Sequence, residues 1–133
     1  MKEKLFQLLK NSYSPYSNFK VAAIVVTRDN HEFNGVNIEN ASYGATVCAE
    51  RVAIASAVAA GYKKGDLKEL YIMVDSPKIS TCCFVCRQVI IEFFSEDCNI
   101  ICMNNKGEIK KYTVSELCPS PFSEDDLKWE VGL

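Results

Sequence analysis

Three cysteines that must meet at one point constrain this chain more than any other feature. Cys48 opens the run Cys48-Ala49-Glu50-Arg51, and a distant segment carries Cys83-Phe84-Val85-Cys86-Arg87-Gln88. The Cys-x-x-Cys gap lets the sulfurs of Cys83 and Cys86 reach one ion. Cys48 joins them only if the fold brings the two segments together. Thiolates suit Zn²⁺, which needs no redox partner. Structural zinc sites usually close with four protein ligands, whereas three leave a position for water. Glu50, two residues after the first ligand, then reads as a proton shuttle. Its other reading is an exposed first-turn helix carboxylate. If each cysteine segment begins a helix, the positive helix ends help to hold the thiolates. Arg51 either donates hydrogen bonds to a ligand sulfur, removing excess negative charge, or makes an ordinary ion pair.

Composition narrows the setting. The chain has 133 residues, enough for one domain spanning 1–133 with a real core. Apolar residues make up 48% of it, which argues against disorder. With 15 basic and 17 acidic side chains and no basic run, it lacks the footprint of a nucleic-acid binder. No apolar stretch is long enough to span a membrane. The N-terminus Met1-Lys2-Glu3-Lys4-Leu5 does not resemble a signal peptide. An odd set of seven cysteines then fits a reducing, cytoplasmic setting with free or metal-bound thiols. Cys98, Cys102 and Cys118 read as small buried filler.

Patterning predicts a mixed α/β domain. An amphipathic helix is expected from Lys2 to about Lys10, followed by a Ser12–Asn18 loop. Val21 to Thr27 reads as a buried strand, Asp29-Asn30-His31-Glu32 as a hairpin turn, and Phe33 to Val36 as the returning strand. Cys48 to Ala60 is an apolar central helix stopped by Gly61. Its alanines permit close packing, either at a subunit interface or within one subunit. A strand at Leu70–Val74, a helix at Cys83–Phe94 and a strand at Ile100–Met103 follow. A turn at Asn104–Gly107 leads to a short strand near Ile109–Tyr112, and Ser123 caps a last helix. The expected fold is a five-stranded mixed sheet covered by helices, an α-β-α layered domain. His31, the single histidine, reads as a turn residue.

Cys48-Ala49-Glu50-Arg51 with the downstream Cys-x-x-Cys-Arg-Gln resembles the zinc-dependent cytidine deaminases. The resemblance extends over Tyr13-Ser14-Pro15-Tyr16-Ser17-Asn18-Phe19, Asn37-Ile38-Glu39-Asn40-Ala41 and Pro121-Phe122-Ser123. A cysteine at position 48 in a short chain is similar to the small homotetrameric branch, with active sites at subunit interfaces. The resemblance implies a cytidine deaminase-like fold. It implies zinc on Cys48, Cys83 and Cys86, with a bound water attacking C4 of the pyrimidine. Glu50 would carry the proton from that water to N3 and then to the leaving amine. Asn37 and Glu39 would hold the 3′-hydroxyl of a free nucleoside, and Phe19 would lie against the base. Backbone groups of Ala49 and Thr81 would meet the base edge. Phe122, and Tyr43 likewise, would reach into a neighbour's pocket. For Asn37 and Glu39 strand-end solvation is the plain alternative, and for Phe19 it is core packing. Two positions depart from the pattern: Cys82 stands where the family has Pro, and Phe84 where it often has Gly. Cys82 is thereby a competitor for the metal. Competing functions are a blasticidin S-type aminonucleoside deaminase, a nucleic-acid-editing deaminase, and a non-catalytic zinc-stabilised assembly module.

Overall fold

In the computed structural model, which describes residues 1–128, one sheet separates two unequal helical layers. The elements run α1 (Lys2–Leu9), β1 (Val21–Thr27), β2 (Glu32–Val36), α2 (Ala49–Ala59), β3 (Leu67–Val74), α3 (Phe84–Phe93), β4 (Phe94–Met103), β5 (Ile109–Thr113) and α4 (Val114–Leu117). Single 3₁₀ turns lie at Tyr43–Ala45 and Glu124–Leu127. The strands are ordered β2-β1-β3-β4-β5. Strand β1 runs antiparallel to both neighbours, β3 and β4 are parallel, and β5 returns antiparallel.

The continuously apolar central strands follow from burial on both faces. Ala22, Ile24, Val26, Met73, Ile101 and Met103 meet Leu5 and Leu9 of α1. Their alternates, including Ala23, Val25, Leu70, Ile72, Ile100 and Cys102, face α2, α3 and α4. Alternation of side chains across a strand makes both sets possible within one segment. Cys98 and Cys102 are buried filler, as expected, while Cys118 is half-buried.

The central helix α2 sits hard against β2. An added Cβ at Gly35 would lie 2.3 Å from the Ala49 carbonyl oxygen and 2.5 Å from the Ala53 nitrogen. Ala49, Ala53 and Ala57, spaced by four, are all buried in the core behind this contact. The small residues on that face therefore serve packing within the subunit. Gly61, at φ 102°, ends the helix in a conformation that favours glycine.

Several boundaries differ from the sequence expectation. Strand β3 starts at Leu67, because Leu67 and Glu69 pair on both sides of the strand, with half-buried Lys68 at the irregularity between them. Strand β4 starts at Phe94, where a bulge displaces Ser95–Cys98 before pairing resumes at Glu69↔Asn99. The polar bulge hides the strand from an apolar-run criterion. The short helix α4 was not expected, although Thr113 and Glu116 form a capping box that signals it. Ser123 does cap a turn, but within the described residues it is one 3₁₀ turn, and any helix past 128 lies outside them.

Replacing Gly35 by Ala should destabilise the protein by about 2–3 kcal/mol, because both clashing groups are backbone. Calorimetry should show a melting point lower by roughly 10 °C; an unchanged melting point would contradict the close α2–β2 packing.

Candidate active site

The N-termini of α2 and α3 bring the cysteines together. Cys48 is the N-cap of α2, Cys83 is the N-cap of α3, and Cys86 stands three residues into α3. Their sulfurs all lie within 4.8 Å of one another, with Cys48 and Cys83 3.7 Å apart. A tetrahedral zinc with Zn–S bonds of about 2.3 Å would place its sulfurs about 3.8 Å apart, so three soft donors stand at the spacing this ion needs. Among the described residues this is the one group of three or more His, Cys, Asp or Glu side chains that meets that spacing.

The three thiols differ in how readily they ionise. A hydrogen bond from the Cys86 thiol, joined by Arg51 and Cys83, holds the Cys48 thiol down to about 5. Cys86 keeps its proton, pushed upward by its bond to Cys48 and by burial. Cys83 Sγ accepts the Cys86 N–H at 3.4 Å, as an N-cap side chain does. Arg51 Nη2 donates to Cys48 Sγ at 3.7 Å and to the Thr46 carbonyl at 3.5 Å. Of the two readings of Arg51, this geometry matches hydrogen bonding to a ligand sulfur.

Glu50 is 5% exposed, within the first turn of α2. Burial raises its pKa first, and the negative Cys48 adds to the effect. A buried carboxylate with no ion-pair partner is costly, which speaks for a chemical role over the exposed first-turn reading. Cys82 is 3% exposed and lies beside Glu50 and Cys102, outside the three-sulfur group. Burial and the adjacent Glu50 push its thiol up. In this geometry Cys82 stands apart from the three sulfurs that could share an ion.

The other expected residues divide into two regions. A cleft of about 390 Å³ is lined by Tyr16, Ser17, Glu39, Asn40, Tyr43 and Thr46. Glu39 Oε1 accepts the N–H groups of Tyr16 and Ser17, each at 3.0 Å, and Oε2 accepts the Ser17 hydroxyl. The Ser17 hydroxyl bond, followed by these N–H groups, holds the Glu39 carboxyl below the usual range. Asn37 is buried just past β2. Its Oδ1 accepts from Val21 N at 3.0 Å and from Ser12 Oγ, and its Nδ2 donates to the Phe19 carbonyl at 2.7 Å. Most of its hydrogen-bonding capacity thus holds the loop that carries Phe19, leaving one N–H free. Tyr43 is 78% exposed and stands edge-on to Tyr16.

Phe122 lies elsewhere, in a cleft of about 480 Å³ between α3 and the segment 116–122, opposite Phe84 and Gln88. Its carbonyl accepts from Gln88 Nε2 at 2.8 Å. Arg87 was not singled out from the sequence, yet it ties this region together. It donates to the carbonyls of Cys82 and Leu117, both at 2.8 Å, and to Thr81 Oγ1 at 2.9 Å. Its guanidinium also sits 4.4 Å from the centre of the Phe84 ring. Ala49 is buried at the start of α2, and Thr81 is exposed before the ligand loop. His31 joins Tyr62 and Asp29 in the β1–β2 turn and takes no part in the sulfur group. A larger groove between α1 and edge strand β2 contains none of these site residues.

Residues 1–102 match the family model described as the cytidine and deoxycytidylate deaminase zinc-binding region. This chain belongs to that family. It is 38% identical to a cytidine deaminase of Mycoplasma genitalium, over 92% of each chain. It is 37% identical to the cytidine deaminase of Halalkalibacterium halodurans, covering 94% of this chain and 93% of that one. The crystal structure of the Burkholderia pseudomallei cytidine deaminase superposes with a TM-score of 0.86 at 38% identity, covering 90% of this chain and 94% of that one. The mixed sheet is thus that of the family, and the family's zinc fits the three sulfurs found here.

Metal analysis should find that Cys83→Ser loses zinc while Cys82→Ser keeps it. Zinc loss in the Cys82 variant would return that thiol to the ligand set.

Proposed function

We propose that this protein hydrolyses cytidine and deoxycytidine to uridine and deoxyuridine with release of ammonia, a step of pyrimidine salvage. The observation that carries the proposal is the open three-sulfur group with a buried Glu50 at its side that has no ion-pair partner among the described residues, in a chain of the deaminase family. Bound by Cys48, Cys83 and Cys86, zinc supplies the Lewis acidity that makes water a nucleophile near neutral pH.

Glu50 carries the protons. Its raised pKa lets the carboxyl hold a proton taken from the attacking water until N3 of the pyrimidine accepts it. A second transfer from Glu50 goes to the departing amine at C4. Arg51 draws charge from the Cys48 sulfur, which offsets the negative excess of three thiolates on a divalent ion. Phe19 packs on the pyrimidine face, and backbone groups of Ala49 and Thr81 read its edge. Glu39 accepts the 3′-hydroxyl of the sugar. Asn37 holds the Phe19 loop and turns its remaining N–H to the ligand. Among the described residues no cation lines the Glu39 cleft, so a 3′-phosphate would meet an uncompensated carboxylate. This favours a free nucleoside over a polymer, and so speaks against nucleic-acid editing.

The active form in this reading is a cytoplasmic homotetramer, with 1–133 acting as one catalytic domain. Phe122, 59% exposed, lines a different cleft from Glu39 in its own chain. That exposure supports an aromatic offered to a neighbouring subunit, as does the exposure of Tyr43 and of Val58 on the outer side of α2. No helix among the described residues is long and apolar enough to cross a membrane. A purely structural zinc module would need a fourth protein ligand, and Cys82 is turned to Glu50 instead.

An absorbance assay should show Glu50→Gln retaining zinc but losing about 10²–10⁴-fold in turnover of cytidine. Near-normal turnover in a zinc-loaded variant would refute the shuttle. Exclusive turnover of blasticidin S by the parent would instead make this an aminonucleoside deaminase. Sedimentation should give four times the chain mass, with Phe122→Ala raising KM; a fully active monomer would exclude shared sites.

A further inference from the structure

Ser17 stands between two groups that the nucleoside reading assigns to different parts of the substrate. Its hydroxyl donates to Glu39 Oε2 and accepts the N–H of Phe19 at 3.0 Å. Its own N–H donates to Glu39 Oε1 at 3.0 Å, beside that of Tyr16. Asn18, at φ 58°, bends the chain in the left-handed region between Ser17 and Phe19. The Phe19 carbonyl is held from the other side by Asn37 Nδ2 at 2.7 Å. The loop as a whole is docked on the 37–39 segment through Tyr13 N to Asn37 O and Glu39 N to Tyr13 O. One hydroxyl thus links the ribose carboxylate to the backbone of the residue that covers the base.

We propose that Ser17 is a positioning residue that sets Glu39 against the 3′-hydroxyl in register with Phe19 over the base, and so makes the enzyme selective for that hydroxyl. Glu39 needs the help because, among the described residues, no cation lines its cleft. Without the hydroxyl, Oε2 loses the one donor that fixes its rotation, and the remaining N–H groups hold only Oε1. The carboxylate that faces the sugar is then anchored at one oxygen only, while the sulfur group and Glu50 keep their own supports on α2 and α3.

This assignment rests on the cytidine deaminase reading and is tested by comparing cytidine with 3′-deoxycytidine in Ser17→Ala, Ser17→Cys and Ser17→Thr. For cytidine, Ser17→Ala should raise KM roughly 10-fold, with kcat changed by less than about two-fold. For 3′-deoxycytidine, KM or Ki should stay near the parent value. Ser17→Thr should restore selectivity, and Ser17→Cys, which keeps the volume with a weaker donor, should fall between. If Ser17→Ala does not fold, the Cys and Thr pair decides alone. Equal losses on both substrates, or no loss on cytidine, would overturn the assignment while leaving the parent activity intact. A parent enzyme inactive on cytidine would instead overturn the reading beneath it, and the assignment with it.

Discussion

Two helix N-termini meeting at one point is the constraint on which the rest of the structure depends. Cys48 caps α2 and Cys83 caps α3, so the sulfurs converge only where the ends of those helices do. Thiolates at helix N-termini gain from the dipole and from unsatisfied N–H groups. The same ends would repel one another without an anion between them. The sulfur group is therefore the candidate metal site and also the join between the helices.

The scaffold behind this join is rigid for reasons of close packing. Gly35 lets the backbone of α2 touch β2, which sets where Cys48 and Glu50 stand. Strand β3 leads through the 79–83 segment into α3, and Arg87 reaches back to hold the Cys82 carbonyl, Thr81 and Leu117. One guanidinium thereby fixes the approach of the ligand loop and the departure of α4. The substrate side is built differently. Loop 12–19 has little regular structure, and polar side chains of the segment after β2 hold it: Asn37 to Phe19, Glu39 to Ser17. The side that carries the sulfur group is held by packing and by Arg87, and the loop opposite it by the side chains of Asn37 and Glu39.

How much was legible in the sequence depends on the range of the signal. The metal ligands and Glu50 were readable because a Cys-x-x-Cys step and a carboxylate two residues from a cysteine are local patterns. The central strands were readable because burial on both faces leaves a continuous apolar run. The start of β4 was not, since a bulge of Ser95–Cys98 looks like loop. The cap at Thr113 and Glu116 was a readable signal for α4 that an apolar-period criterion passes over. The contacts of Arg87 and Ser17 were invisible, because their partners come from segments whose relative positions no spacing rule predicts.

The amino-acid order alone determined the candidate donor set, the candidate proton carrier and the α-β-α layering, because these follow from residue chemistry and from periods of two and 3.6 residues. Tertiary structure decided which thiols share the site. It turned Cys82 toward Glu50 and away from the sulfurs, and it buried Glu50 without an ion-pair partner. It also gave Asn37 to the loop and left Glu39 facing the cleft. Those outcomes depend on distances between segments far apart in the chain, and only packing sets such distances.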